Sequence, residues 1–108
     1  MQAWESREID AARAAQQRLY LEFLRVADLS SGLYVLEAGA TDPQAPHAED
    51  ELYVVVAGRG SITVADETRQ VAAGSIVFVG ATLPHRFHDI TERLDIVVAF
   101  GPAEGTRA

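Results

Sequence analysis

Gly74-Ser75-Ile76-Val77-Phe78-Val79, then Gly80-Ala81-Thr82-Leu83-Pro84, then His85-Arg86-Phe87-His88-Asp89: this stretch decides the fold. A glycine followed by β-branched and aromatic residues reads as a strand. Gly, Thr and Pro in the next five residues favour a tight turn, and the last five read as the returning strand. Side chains alternate along a strand, so His85, Phe87 and Asp89 share one face and Arg86 and His88 the other. Phe87 is the only large apolar residue of the return strand. Its face is expected to be the buried one, which takes His85 inside with it, where a buried imidazole needs a partner. His88, on the outer face, reads as a surface or interface residue.

Outward from this hairpin the same texture continues. From residue 19 on, short β-branched and aromatic runs alternate with Gly, Pro and Asp, predicting strands near 19–26, 32–38, 51–57, 61–66, 69–72, 75–79, 85–89 and 94–100. About eight strands is the usual count for a jelly-roll barrel. Breaks are expected at Ser31-Gly32, Gly39 to Pro46, Gly58-Arg59-Gly60, Ala65-Asp66-Glu67, Gly74 and Gly80 to Pro84. Residues 5–18, rich in Ala, Glu, Gln and Arg, predict a short helix with a thin apolar stripe of Trp4, Ile9, Ala12 and Leu19. The expected organisation is a helical extension over 1–18 and one barrel domain over 19–108.

Composition narrows the function classes. At 108 residues one core is all the chain can build. Sixteen acidic against nine basic residues give a net charge of −7, with no dense Arg cluster to follow a phosphate backbone, so nucleic acid is not an expected partner. All the basic side chains are Arg, and there is neither Lys nor Cys. That removes Schiff-base lysines, thiol nucleophiles, disulfides and cysteine metal sites. Met1 to Asp10 lacks the uninterrupted apolar run of a signal peptide, and no stretch is long enough to span a bilayer, so a cytoplasmic protein is expected.

The three histidines fall in two segments only. In Pro46-His47-Ala48-Glu49-Asp50-Glu51-Leu52-Tyr53 a His ends a proline-bearing loop, and a Glu follows four residues later at the start of an apolar strand. Alternation puts Glu51, Tyr53 and Val55 on one face. Two histidines and a carboxylate inside one barrel suit a divalent metal. Glu49 reads as a solvated loop acid, with a ligand or supporting role as the alternative. Tyr53 reads either as core filler with its tip at the barrel mouth or as a proton donor beside the site.

With these residues in place the chain resembles the cupin superfamily, over roughly residues 19–101. That family's first motif runs Gly, five residues, His-x-His, three or four residues, Glu, six residues, Gly. Glu51, the run Leu52 to Ala57, and Gly58 match its second half, and His47 stands where the second His is expected. The second motif runs Gly, five residues, Pro-x-Gly, two residues, His; Gly74 and Ser75 to Val79 match, Gly80 and Thr82 replace the Pro and Gly, and His85 stands at the ligand position. Ala45 occupies the first His position, so a fourth ligand is missing or comes from another group. The resemblance implies a metal held by His47, Glu51 and His85, with open positions for substrate, and iron, manganese, nickel, zinc or copper all suit the set. A decayed site with hydrogen-bonded core residues is the other reading.

Three functions stay open on this basis. One is a metal-dependent enzyme, of the oxygenase or isomerase kind, acting on a small organic molecule with Tyr53 handling a proton. Another is a barrel that binds or senses a small ligand or a metal, and the third is a structural barrel without a site. Leu52 to Ala57 and Leu94 to Phe100 are apolar on both faces, so the N-terminal helix or a second copy of the chain should cover their outer faces, and a homodimer is expected. No nucleophile elbow, phosphate loop, zinc-protease pair or dinucleotide fingerprint is present.

Overall fold

A computed structural model describes residues 1–107. A short helix α1 (Ser6–Ala15) precedes six strands: β1 (Tyr20–Val26), β2 (Leu29–Leu36), β3 (Asp50–Val64), β4 (Glu67–Ala72), β5 (Ile76–Val79) and β6 (His85–Gly101). All ladders are antiparallel, in the order β1-β2-β6-β3-β4, with β5 added to β3. The all-β fold with one short helix is as expected. Six strands form because the segments expected at 51–57 and 61–66 are continuous in β3, and those at 85–89 and 94–100 in β6.

The expected turn at Gly58-Arg59-Gly60 is therefore a bend within a strand. Along β3 and β6 the register shifts between Val55 and Ala57, Ala57 and Arg59, and Arg59 and Ser61. Such irregularities twist and curl a ladder. Gly58 has φ +97°, and a Cβ there would sit 1.9 Å from the Arg93 carbonyl oxygen. Only glycine permits this approach. Ser31-Gly32, also expected to turn, lies inside β2, and the reversal falls at Ala27-Asp28. Gly32 makes room for an aromatic ring instead, since a Cβ would lie 2.3 Å from Cζ of Tyr20.

The helix stops at Ala15 rather than reaching 18. Gln17 takes a left-handed conformation at φ 55°, its N–H donates to the Ala14 carbonyl at 3.0 Å, and the Arg18 N–H donates to that of Arg13 at 3.2 Å. This paired closure satisfies carbonyls the helix would otherwise leave open. Ala12 and Leu19 consequently stay exposed, and the inward residues are Ile9 and Arg13. Trp4 packs on Phe23 with centroids 4.9 Å apart. Asp10 ties the helix to β6 through Arg93, at 2.6 Å.

Inside the barrel, Leu36, Tyr53, Val55, Phe87, Leu94 and Ile96 are among the most deeply buried side chains. Trp4 and Ile9 lie over Leu33 and Val97, so α1 covers part of the outer sheet face. On the outer face of β3 and β5, Leu52, Val56, Ile76 and Phe78 remain exposed. Among the described residues no helix is long and apolar enough to cross a membrane.

Candidate metal centre

Glu51 is the second residue of β3 and, with Tyr53 and Val55, points inward as the alternation requires; each of the three is at most 2% exposed. His85 opens β6 and faces inward with Phe87. The ladder between these strands pairs Glu51 with Phe100 and Val64 with His85, so the two candidate ligands belong to opposite ends of it. Curling brings those ends together. Glu51 also pairs with Val79, the last residue of β5, and the short turn from Gly80 to Pro84 then delivers His85. That turn is fastened to the neighbouring segment: the Thr82 N–H donates to the His47 carbonyl at 2.7 Å and the Ala81 N–H to Asp50 Oδ1 at 2.9 Å.

The three expected ligands do meet. Donor atoms of His47, Glu51 and His85 lie within 4.8 Å of one another. His85 Nδ1 donates to the Leu83 carbonyl at 2.9 Å, which leaves its Nε2 as a lone pair in the neutral ring. That nitrogen stands 3.1 Å from Glu51 Oε1 yet makes no hydrogen bond, and Glu51 Oε2 is buried without a partner among the described residues. Two lone pairs facing each other in a buried space call for a cation between them. A proton is one such cation: burial pushes the His85 pKa down, but Glu51 and the Leu83 carbonyl outweigh it and hold it above the ordinary value. A divalent metal is the other, and the orphaned atoms fit it. His47 Nε2, 3.9 Å from the same Oε1, supplies the third donor.

Beside His47 and Glu51 lies a cavity of about 140 Å³, lined also by Tyr20, Gln44, Phe100 and Glu104 among others. Ala45, at the position of the family's first His, is exposed; its neighbour Gln44 faces the cavity. Buried Asp42 holds Gln44 by accepting from its side-chain amide at 2.7 Å, and also accepts from the Tyr34 hydroxyl and the Phe87 N–H. The Tyr53 hydroxyl donates to Gln44 Oε1 at 3.0 Å. Burial, reinforced by the Glu51 carboxylate, pushes the Tyr53 pKa far up, so its hydroxyl stays protonated.

Two expectations need correction. Glu49 is not a solvated loop acid: it is 2% exposed and its Oε2 accepts the Arg107 N–H at 3.1 Å. Burial would raise its pKa, but backbone N–H groups of Gly105 and Arg107 hold it below the ordinary value. Asp89 does not follow His85 and Phe87 inside, because a left-handed φ of 48° breaks the alternation and leaves it exposed. It accepts instead from His88, which also meets Thr63 Oγ1 at 2.7 Å. Glu104, Asp42, Tyr20 and the cavity-facing role of Gln44 were not anticipated from the sequence. The proline-bearing loop held the one available signal, a cluster of polar residues just before His47.

The fold and this site define a small cupin. Residues 32–100 match the Cupin domain family, and the chain belongs to it. Over 104 residues it is 53% identical to the uncharacterized protein SCO3923 of Streptomyces coelicolor, covering 96% of this chain and 99% of that one. The crystal structure of TT1209 from Thermus thermophilus is similar with a TM-score of 0.76 at 19% identity, over 95% of this chain and 99% of that one. An RmlC-like cupin from Shewanella frigidimarina gives a TM-score of 0.69 at 19% identity, over 78% and 75% of the two chains. At such identities these two structures speak for the fold alone.

Proposed function

We propose that this cupin binds one divalent metal through His47, Glu51 and His85 and acts on a small organic molecule, in a reaction of the oxygenase or isomerase kind. The observation that carries the reading is the buried His85 Nε2, unpartnered and 3.1 Å from Glu51 Oε1, with the other carboxylate oxygen Oε2 also buried without a partner among the described residues and a third donor on His47. Iron, manganese, nickel, zinc and copper all suit two imidazoles and one carboxylate. When bound, such an ion supplies Lewis-acid polarisation of a substrate oxygen.

The chain's own residues do the rest. The cavity, about 140 Å³, lies below the several hundred Å³ typical of sites for drug-sized ligands and suits a smaller molecule. Phe100 and Val98 supply its apolar wall. Tyr53 acts through Gln44, fixing the amide that faces the cavity, and its raised pKa makes it a hydrogen-bond donor rather than a base. Tyr20, whose buried hydroxyl has no partner among the described residues, is placed to bond a substrate atom.

We also propose a homodimer joined through Leu52, Val56, Ile76 and Phe78. These exposed apolar side chains share one face of two paired strands, on a chain of net charge −7. An uncharged patch is self-complementary where the acidic remainder of the surface repels its own copy.

Elemental analysis of untagged protein beside a Glu51→Ala variant tests the metal. Near one ion per chain, lost in the variant, supports it; no metal in either, with both folded, overturns it. Ligand affinity with no turnover would move the reading to a binding or sensing barrel.

A further inference from the structure

Both histidines of the cluster present Nε2 toward Glu51 Oε1, at 3.1 Å for His85 and 3.9 Å for His47. His85 is held in that pose from behind, by the Leu83 carbonyl on its Nδ1. Among the described residues His47 has no such backbone partner. The group behind its Nδ1 is Glu104 Oε2, 3.6 Å away, contributed by the last residues of the chain.

Those residues are fastened over the site at several points. The Glu104 N–H donates to Ser30 Oγ at 2.8 Å, and its carbonyl accepts from Arg25 at 2.9 Å. Beyond it, the Arg107 N–H reaches Glu49 Oε2 at 3.1 Å. Burying a carboxylate is costly unless its oxygens are satisfied. Glu49 is a buried acid whose hydrogen bonds run to this terminal segment, two residues from His47 in sequence.

We infer that Glu104 is the positioning residue for His47, presented by a C-terminal strap that the buried Glu49 carboxylate holds closed. It deepens the proposed metal site, and its metal-affinity arm rests on that reading. The Glu104 carboxylate, 3.6 Å behind Nδ1, favours the proton on that nitrogen, which makes Nε2 the lone-pair nitrogen and aims it at the point where Glu51 and His85 converge. A carboxylate behind a ligating imidazole fixes the ring and its tautomer and raises its basicity. His47 is the more exposed of the two histidines, with 22% of its side chain accessible against 1% for His85, and so has the greater freedom to lose.

Long-range proton–nitrogen NMR on isotope-labelled, metal-free protein at alkaline pH reads the His47 tautomer without any metal. The native protein should show the Nδ1–H form. Glu104→Ala should give a mixture of tautomers and weaken cobalt(II) binding by about 10- to 100-fold. Glu104→Gln, whose amide oxygen can accept the same N–H, should restore the tautomer and most of the affinity. Glu49→Ala should reproduce Glu104→Ala by releasing the strap; an unchanged tautomer there overturns the strap's part. Folding of each variant is checked by its circular dichroism. The same His47 tautomer in native and Glu104→Ala protein overturns the inference. If the tautomer follows Glu104 while the native protein binds no cobalt, the positioning role stands and the metal reading fails.

Discussion

Replacing Glu51 by Gln separates the metal from the barrel that would hold it. The amide keeps the volume of a side chain that is 2% exposed, but removes the only negative charge among the three donors. A ligand that binds only the folded state stabilises it by about 2.7 kcal/mol at one hundred times its dissociation constant. Unfolding entropy near 2.1 cal/mol/K per residue, over 108 residues, is about 0.23 kcal/mol/K. The native protein should therefore gain about 12 °C in melting temperature on adding the right ion. Losing a charged ligand should cost at least the roughly 100-fold that removing a supporting partner can cost. At the same metal concentration the gain then falls to about 0.4 kcal/mol, or about 2 °C. Calorimetric melting of chelator-treated protein, with and without each of the five candidate metals, measures both shifts. A native protein that none of these ions stabilises, or a Gln variant that keeps the whole shift, would refute the reasoning.

Gly58→Ala forces a side chain into a left-handed backbone position 1.9 Å from a carbonyl oxygen, and should cost about 3 kcal/mol or more by urea denaturation. A loss under about 1 kcal/mol would mean that the bend does not depend on this close approach. The Asp10 pKa is held low by Arg93 and Arg13, so the helix docking it supports is complete above the ordinary carboxyl value of 3.8 and lost as pH falls through the lowered one. Fluorescence of Trp4, the only Trp, should report that undocking in acid, and Arg93→Ala, which removes the tie to β6, should abolish the acid transition. Phe78→Glu places a charge on the uncharged outer face and should convert the proposed dimer into a folded monomer in analytical ultracentrifugation. A native protein that is already monomeric at micromolar concentration would remove that assembly.

What was legible in the sequence is what local periodicity controls. Alternation put Glu51, Tyr53 and Val55 on one face and His85 with Phe87 on another, because a strand has only two sides and an apolar neighbour shows which one is buried. It failed at Asp89, where a single left-handed residue breaks the period. Glycines and prolines marked irregular points, but not whether the chain reverses there or bends onward, as Gly58 and Gly32 show. That choice depends on what packs against the glycine.

The tertiary structure alone decided the rest. Glu51 and His85 belong to opposite ends of one ladder, and only its curling, with the link through β5, puts them 3.1 Å apart. The usual exposure of acidic side chains made Glu49 look solvated; the N–H groups that let it be buried come from a segment distant in sequence. Glu104 reaches His47 by the same return of the chain terminus. Sequence determined which side chains could face inward, since that is set by each strand alone. Which of them meet is set by closure of the barrel, a property of all the ladders together.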